Sequence, residues 1–169
     1  MLETDRLKFK ILNSKYEKDL EKLFCKNQKV MKTVFKGRVF TNDEFKKLLS
    51  EDFIKSKNEK VGLWCITSNL NDKLIGITGL LKFNYLNKDN YEFGFILNEN
   101  NWGKGFATEI GNFWLEYAKN EMNLFELIAT VSPKNIASRK VLEKLNMEYV
   151  DEFISEERGT RLIFRKNIN

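Results

Sequence analysis

Histidine is absent from all 169 residues, and that gap removes several chemistries at once. A Ser-His-Asp or Cys-His nucleophile would have no base. No zinc or haem constellation is predicted, because the two cysteines, Cys25 and Cys65, form no CxxC pattern. No metal is expected. Proton transfer near neutral pH must then use carboxylates, tyrosines, lysines or water. Proline occurs once, at Pro133, and there is no Gly/Ser-rich linker, repeat or low-complexity tail. A single domain over 1–169 is therefore expected. Long apolar runs are missing too: VGLWCI and LIGITGLL are far too short to span a bilayer. The opening MLETDRLKFK scatters charges and lacks the apolar core of a secretory signal. These absences point to a cytoplasmic protein with no membrane partner.

What is present suffices for a folded core, with 42% hydrophobic and 31% charged residues. The 29 basic and 24 acidic side chains leave +5, which suits a polyanionic partner. Acids and bases alternate in YEKDLEKLF and DEFKKLL, however, and no dense basic block appears, so lysines scattered over solvated faces are the expectation. Nucleic acid is disfavoured as a partner: most of the fourteen phenylalanines sit at core spacing, and no RNP-like or basic-helix motif occurs.

Periodicity predicts the elements in the order β, α, α, β, β, β, α, β, α, β, β. LKFKIL (7–12) alternates as a strand, and NSKYEKDLEKLF follows as a helix with a capping-box pattern at Ser14 and Glu17. Thr41 and Glu44 repeat that pattern, after an irregular MKTVFKGRVF. VGLWCITS (61–68), KLIGITGLLKF (73–83) and NYEFGFIL (90–97) read as strands. From Phe106, apolar residues recur at Ile110, Phe113, Trp114 and Tyr117 with helical spacing. FELIATV (125–131) reads as a buried strand, IASRKVLEKL as a helix, and EYVDEFI and TRLIFRK as two last strands. The segment 90–131 is thus a β-loop-α-β unit, implying a parallel pair with a right-handed crossover. The fold class is α/β, a single mixed sheet, mostly antiparallel, with helices on both faces.

The loop of that unit, NENNWGKGFATE, places two glycines around a lysine between a strand and a helix. Helix N-termini carry N–H groups without intrahelical partners, and glycines let a phosphate approach them. Trp102-Gly103-Lys104-Gly105-Phe106-Ala107 is therefore a candidate pyrophosphate cradle, although a tight turn without a ligand fits the loop alone. A Walker A loop is excluded by the short glycine spacing and a dinucleotide fingerprint by the missing third glycine. Further on, Asn135 precedes Ser138 by three residues at a helix start.

These features, in this order, resemble the GNAT superfamily of acetyl-CoA-dependent N-acetyltransferases. The family loop Gln/Arg-x-x-Gly-x-Gly/Ala reads here Trp102-Gly-Lys-Gly105-Phe-Ala107. The opening LETDRLKFKIL, the block YEFGFILNENNWGKGFATE and the late NIASRKVLEKLNM resemble the RimJ/RimL branch, which acetylates protein N-termini and shares much of its pattern with spermidine acetyltransferases. The resemblance covers essentially the whole chain. It departs at Trp102, at Asn146-Met147 in place of Gly-Phe, and at Leu142, where many members carry a tyrosine general acid.

The resemblance implies acetyl-CoA as cosubstrate. The backbone of Phe95, Ile96 and Leu97 would pair with the pantetheine arm, like an added strand in a gap between splayed strands. The N–H groups of Gly103, Lys104, Gly105, Phe106, Ala107 and Thr108 would hold the pyrophosphate, and Asn135 with Ser138 the distal arm. Glu92 shares a strand face with Gly94 and Ile96, opposite Tyr91, Phe93, Phe95 and Leu97, and is the candidate base, with a lysine-paired glutamate as its alternative. Ser138 would hydrogen-bond the departing sulfur, or else only its own helix backbone. The expected acceptor is a primary amine: a peptide N-terminus, a polyamine or another small amine. A non-catalytic acyl-CoA sensor of the same fold is the alternative, and a homodimer is left open.

Overall fold

The computed structural model describes residues 2–56 and 58–169; Met1 and Lys57, both within the expected domain, lie outside the described residues. The β-branched and aromatic runs form β1 (Leu7–Lys10), β2 (Gly62–Ser68), β3 (Leu74–Tyr85), β4 (Lys88–Leu97), β5 (Glu126–Val131), β6 (Glu148–Ser155) and β7 (Gly159–Asn167). They join one sheet in the order β1-β2-β3-β4-β5-β7-β6. Every neighbouring pair is antiparallel except β4 and β5, the predicted parallel pair. The mixed, mostly antiparallel α/β architecture is the one the periodicity predicts.

The helices are α1 (Ser14–Glu21), α2 (Gln28–Met31), α3 (Asn42–Glu51), α4 (Phe106–Asn120) and α5 (Ile136–Lys144). Two local expectations need correction. Asn13, not Ser14, caps α1: its extended backbone brings its side-chain oxygen to the Lys15 N–H at 3.0 Å, and Ser14 is already helical. The helix also runs on as a π-turn over Lys22–Lys26, and Asn27 restarts it as α2 by accepting from the Val30 N–H at 3.1 Å.

The capping box of α3 forms as predicted. Thr41 Oγ1 accepts from the Glu44 N–H at 3.3 Å, and Glu44 Oε2 accepts from the Thr41 N–H at 2.8 Å. The Arg38 guanidinium forks onto the same carboxylate at 2.7 and 2.8 Å. Hydrogen bonds from Arg38 and then from the Thr41 backbone hold the Glu44 carboxyl at about 2, against an ordinary 4.5. A depressed folded-state value stabilises the fold above the unfolded value and loses that contribution as pH falls through the folded one. The melting temperature should therefore drop between about pH 4.5 and about pH 2, and Glu44→Gln should flatten the profile in that window. Thr41→Ala should cost about 1 kcal/mol by denaturant titration at pH 7.

The strands' side-chain alternation divides the core in two. Trp64 and Ile66 of β2 meet α4 and α5 through Ile110, Trp114, Leu142 and Leu145. Leu63 and Cys65 face the other way, onto Leu20, Phe24, Met31 and Leu48 of the first three helices. In β4, Phe93 and Leu97 join the α4 layer while Ile96 joins the opposite one. Glu92, in register with Ile96, is thereby set on the α3 side. A polar tie fixes α4 against the middle of the sheet: buried Trp114 Nε1 donates to Thr78 Oγ1, which donates to the Gly94 carbonyl, each at 2.7 Å.

Candidate active site

The site follows from a break in the sheet. β4 is paired with β3 along its whole length, from Lys88 to Leu97, but meets β5 at the single pair Glu92–Ile128. Beyond Glu92 the two parallel strands part, and no β5 partner faces Phe95, Ile96 or Leu97. The parting opens a cleft with an outer chamber of about 560 Å³ and an inner one of about 140 Å³. Phe95, Ile96, Asn135 and Ser138 line both chambers, so the two adjoin.

The outer chamber ends at the glycine loop. Gly103 and Gly105 adopt φ of 72° and 81°, a left-handed conformation that favours glycine. Gly105 is the N-cap of α4 and brings no side chain to the cap. The first-turn N–H groups of Phe106, Ala107 and Thr108 are therefore left for an external acceptor, at the positive end of a 15-residue helix. Leu97, Trp102, Gly103, Gly105, Phe106, Ala107 and Thr108 all line this chamber. Lys104 does not; its carbonyl instead accepts from Arg6 Nη1 at 2.9 Å.

Arg6 fastens the loop from outside. Its guanidinium lies 4.5 Å over the Phe106 ring and pairs with Glu109 at 2.5 Å. Burial opposes charge on Glu109, yet the Thr4 hydroxyl, the Arg6 N–H and the Arg6 guanidinium together hold its carboxyl below the usual value. Thr4 and Arg6 of the opening LETDRL thus anchor the start of α4, a function invisible in the linear sequence.

Five lysines, Lys29, Lys32, Lys134, Lys140 and Lys144, line the outer chamber, and no acid does. The sequence disperses them over two segments a hundred residues apart, and folding gathers them. The five are solvent-exposed, as expected of lysines on solvated faces, but here they share one place. Lys29 also stands 5.8 Å over the half-exposed Trp102 ring, whose Nε1 donates to the Leu97 carbonyl at 2.9 Å.

In the inner chamber Glu92 is 7% exposed and partnered by arginine, not by lysine. Arg158, in the turn between β6 and β7, reaches Glu92 Oε1 at 3.0 Å through Nη1 and Oε2 at 3.3 Å through Nη2. Thr130 of β5 donates its hydroxyl to Glu92 Oε1 at 2.7 Å. Arg161 of β7 stands behind, with Nη2 on the Thr130 carbonyl at 2.8 Å. Buried Leu142 and half-buried Ser138, whose N–H caps onto Asn135 Oδ1 at 3.1 Å, close the side toward α5. The strand alternation revealed Glu92. Thr130, Arg158 and Arg161 carried no motif, and only the hairpin's return across β5 brings them to it.

Comparison with known proteins agrees with this geometry. Residues 11–148 match the family described as acetyltransferase (GNAT) domain. An uncharacterized N-acetyltransferase, YnaD, of Bacillus subtilis is 33% identical over 124 residues, spanning 73% of this chain and 69% of the relative. A GNAT-family acetyltransferase from Bacillus anthracis superposes with a TM-score of 0.78 at 22% identity, over 99% of this chain and 98% of its own. Spermidine N-acetyltransferase from Vibrio cholerae, solved with CoA and spermine, gives 0.74 at 20% identity over 97% and 96% of the two chains. Splayed strands, a glycine loop on a bare helix start and a family match over most of the chain agree: the chain is an N-acetyltransferase of the GNAT family.

Proposed function

We propose that the protein transfers the acetyl group of acetyl-CoA to a primary amine by direct attack of the amine on the thioester. The observation that carries this is the adjacency of the two chambers, which sets a helix start with free N–H groups and a buried carboxylate on either side of shared lining residues. The RimJ/RimL-like character of the sequence and the CoA-bound spermidine enzyme of the same fold support it. Acetyl-CoA supplies the activated carbonyl; the chain supplies everything else.

The residues present fit that cosubstrate. Three free N–H groups at the start of α4 and five lysines match its phosphates, and the unpaired edge of β4 at Phe95 to Leu97 offers backbone groups to the amides of its arm. Each charge-assisted hydrogen bond of this kind contributes roughly 1.5–3 kcal/mol. Asn135 and Ser138, facing both chambers, border the point where arm and acceptor meet.

Glu92 takes the proton. An amine with a pKa near ~10.4 loses about 4 kcal/mol to deprotonation at about pH 7.4, whereas an α-amine near ~7.8 loses well under 1 kcal/mol. The amine gives one proton to Glu92, directly or through a water; the N–C bond forms as the C–S bond breaks, and the electron pair leaves on sulfur. Leu142 has no proton to offer the thiolate, so in this reading the Ser138 hydroxyl, at both chambers, takes that part. A second N–H proton goes to thiolate or solvent as the adduct collapses, and the third stays on the amide. A cytoplasmic location is part of this reading.

The test is thiol release from acetyl-CoA across polyamines, an aminoglycoside, free amino acids and short peptides with Ser or Ala N-termini. Release with one class above the hydrolysis background establishes transfer. Binding of acetyl-CoA without release on any amine, whole-protein acceptors included, would instead favour the acyl-CoA sensor.

A further inference from the structure

The charges of the inner chamber do not balance. Arg158 is matched by Glu92, but Arg161 has no carboxylate partner. Arg161 is 8% exposed, holds the Thr130 carbonyl and, at 3.4 Å, the Thr130 hydroxyl, and leaves its Nη1 buried without any acceptor among the described residues. Burial, and next the neighbouring Arg158, push the Arg161 guanidinium down to about 10 against the opposing pull of Glu92, so it still carries its charge at neutral pH. Asp52, the other acid lining the chamber, does not compensate. The charges that act on it are those of Glu51, Lys47 and Glu157. Two guanidinium groups thus share the one carboxylate of Glu92; such an unmatched buried charge is costly and marks a candidate functional site.

We propose that the amine acceptor carries a carboxylate close to its amine, received in the inner chamber by Arg158 with the unpaired Arg161 behind it. The inference rests on the acetyl-transfer reading and narrows its acceptor to a small amino acid or a similar amino carboxylate, a size suited to about 140 Å³. Arg158, with a quarter of its side chain exposed, is the movable fork; Arg161 supplies the standing positive charge. Turning Arg158 onto the substrate has a second effect. Both Glu92 oxygens accept from Arg158 and one also from Thr130, so departure of Arg158 frees Oε2 and leaves only Thr130 on Oε1. Recognition of the carboxylate thereby frees the base. A polyamine, which brings only positive charge beside two guanidinium groups, releases nothing.

The experiment uses the full chain with saturating acetyl-CoA and matched pairs: amino acids against their own amides, with spermidine and a Ser-initiated peptide amide alongside. The free acids should exceed their amides in kcat/KM by at least about tenfold. Arg158→Gln should remove that preference by raising the KM of the acids far more than that of the amides. A merely structural Arg158 would instead depress acid and amide alike. Arg161→Gln, checked by thermal melting, should weaken the acids selectively. Equal or better use of amides, spermidine or the peptide by the natural chain overturns the proposal. If no amine releases thiol, calorimetric titration of the same pairs with CoA present decides: preference for the acid sustains the carboxylate site while the transfer reading fails, and no preference overturns it.

Discussion

Glu92→Gln is expected to lower kcat about 10²–10⁴-fold while leaving the affinity for acetyl-CoA within about threefold. Glutamine is nearly isosteric and its carbonyl still accepts from the Thr130 hydroxyl, 2.7 Å away in the natural chain. What it loses is the capacity to take a proton and the charge that holds Arg158. The second loss has a structural side, since breaking a partly buried ion pair leaves the remaining charge unmatched. Thermal melting separates the two: a folded variant with intact acetyl-CoA binding and collapsed turnover assigns the defect to chemistry. The expected effect is greatest for amines of high pKa, which depend most on a base. A rate at saturating substrate close to that of the natural chain would remove Glu92 from the mechanism.

The second large effect lies at the other end of the cleft. Gly105→Asp should weaken acetyl-CoA binding by well over tenfold, read by calorimetric titration. The position combines φ of 81° with the N-cap of α4, so the new carboxylate would bring negative charge against a phosphate at the helix start, and could itself cap the free N–H groups. The nearest atom to a Cβ built there is Arg6 Nη2 at 3.4 Å, an ordinary approach, so crowding is not the cause. Backbone strain is present in any substitution at this φ, and Gly105→Ala isolates it. Alanine should lose distinctly less affinity than aspartate, because it brings strain without charge or a capping oxygen. Unchanged affinity in Gly105→Asp would take the loop out of the account.

Much of the site was legible because it lies in local patterns. The glycine pair around Lys104 and the apolar period from Phe106 place a bare helix start after a strand, and the alternation of YEFGFIL puts Glu92 on one face. Both depend on residues within about one turn or a few strand positions of one another, where backbone geometry governs. The misread cap at Ser14 marks the limit of that locality, since Asn13 beside it supplied a side chain of equal capping strength. Lys104 shows another limit. The loop motif includes it, but Arg6 draws its carbonyl outward, and only the path of the N-terminal segment across α4 reveals this.

The sequence by itself determined the strand and helix order, the parallel crossover, the glycine loop and the acid on β4, because propensity, periodicity and hydrogen-bond stereochemistry act over short separations. Tertiary structure alone decided how far β4 and β5 part, where five lysines converge and which cations face Glu92. Arg158 lies 66 residues from Glu92 and Thr130 lies 38 away. Charge acts through space, and no spacing along the chain encodes a distance set by a hairpin folding back over a splayed pair of strands.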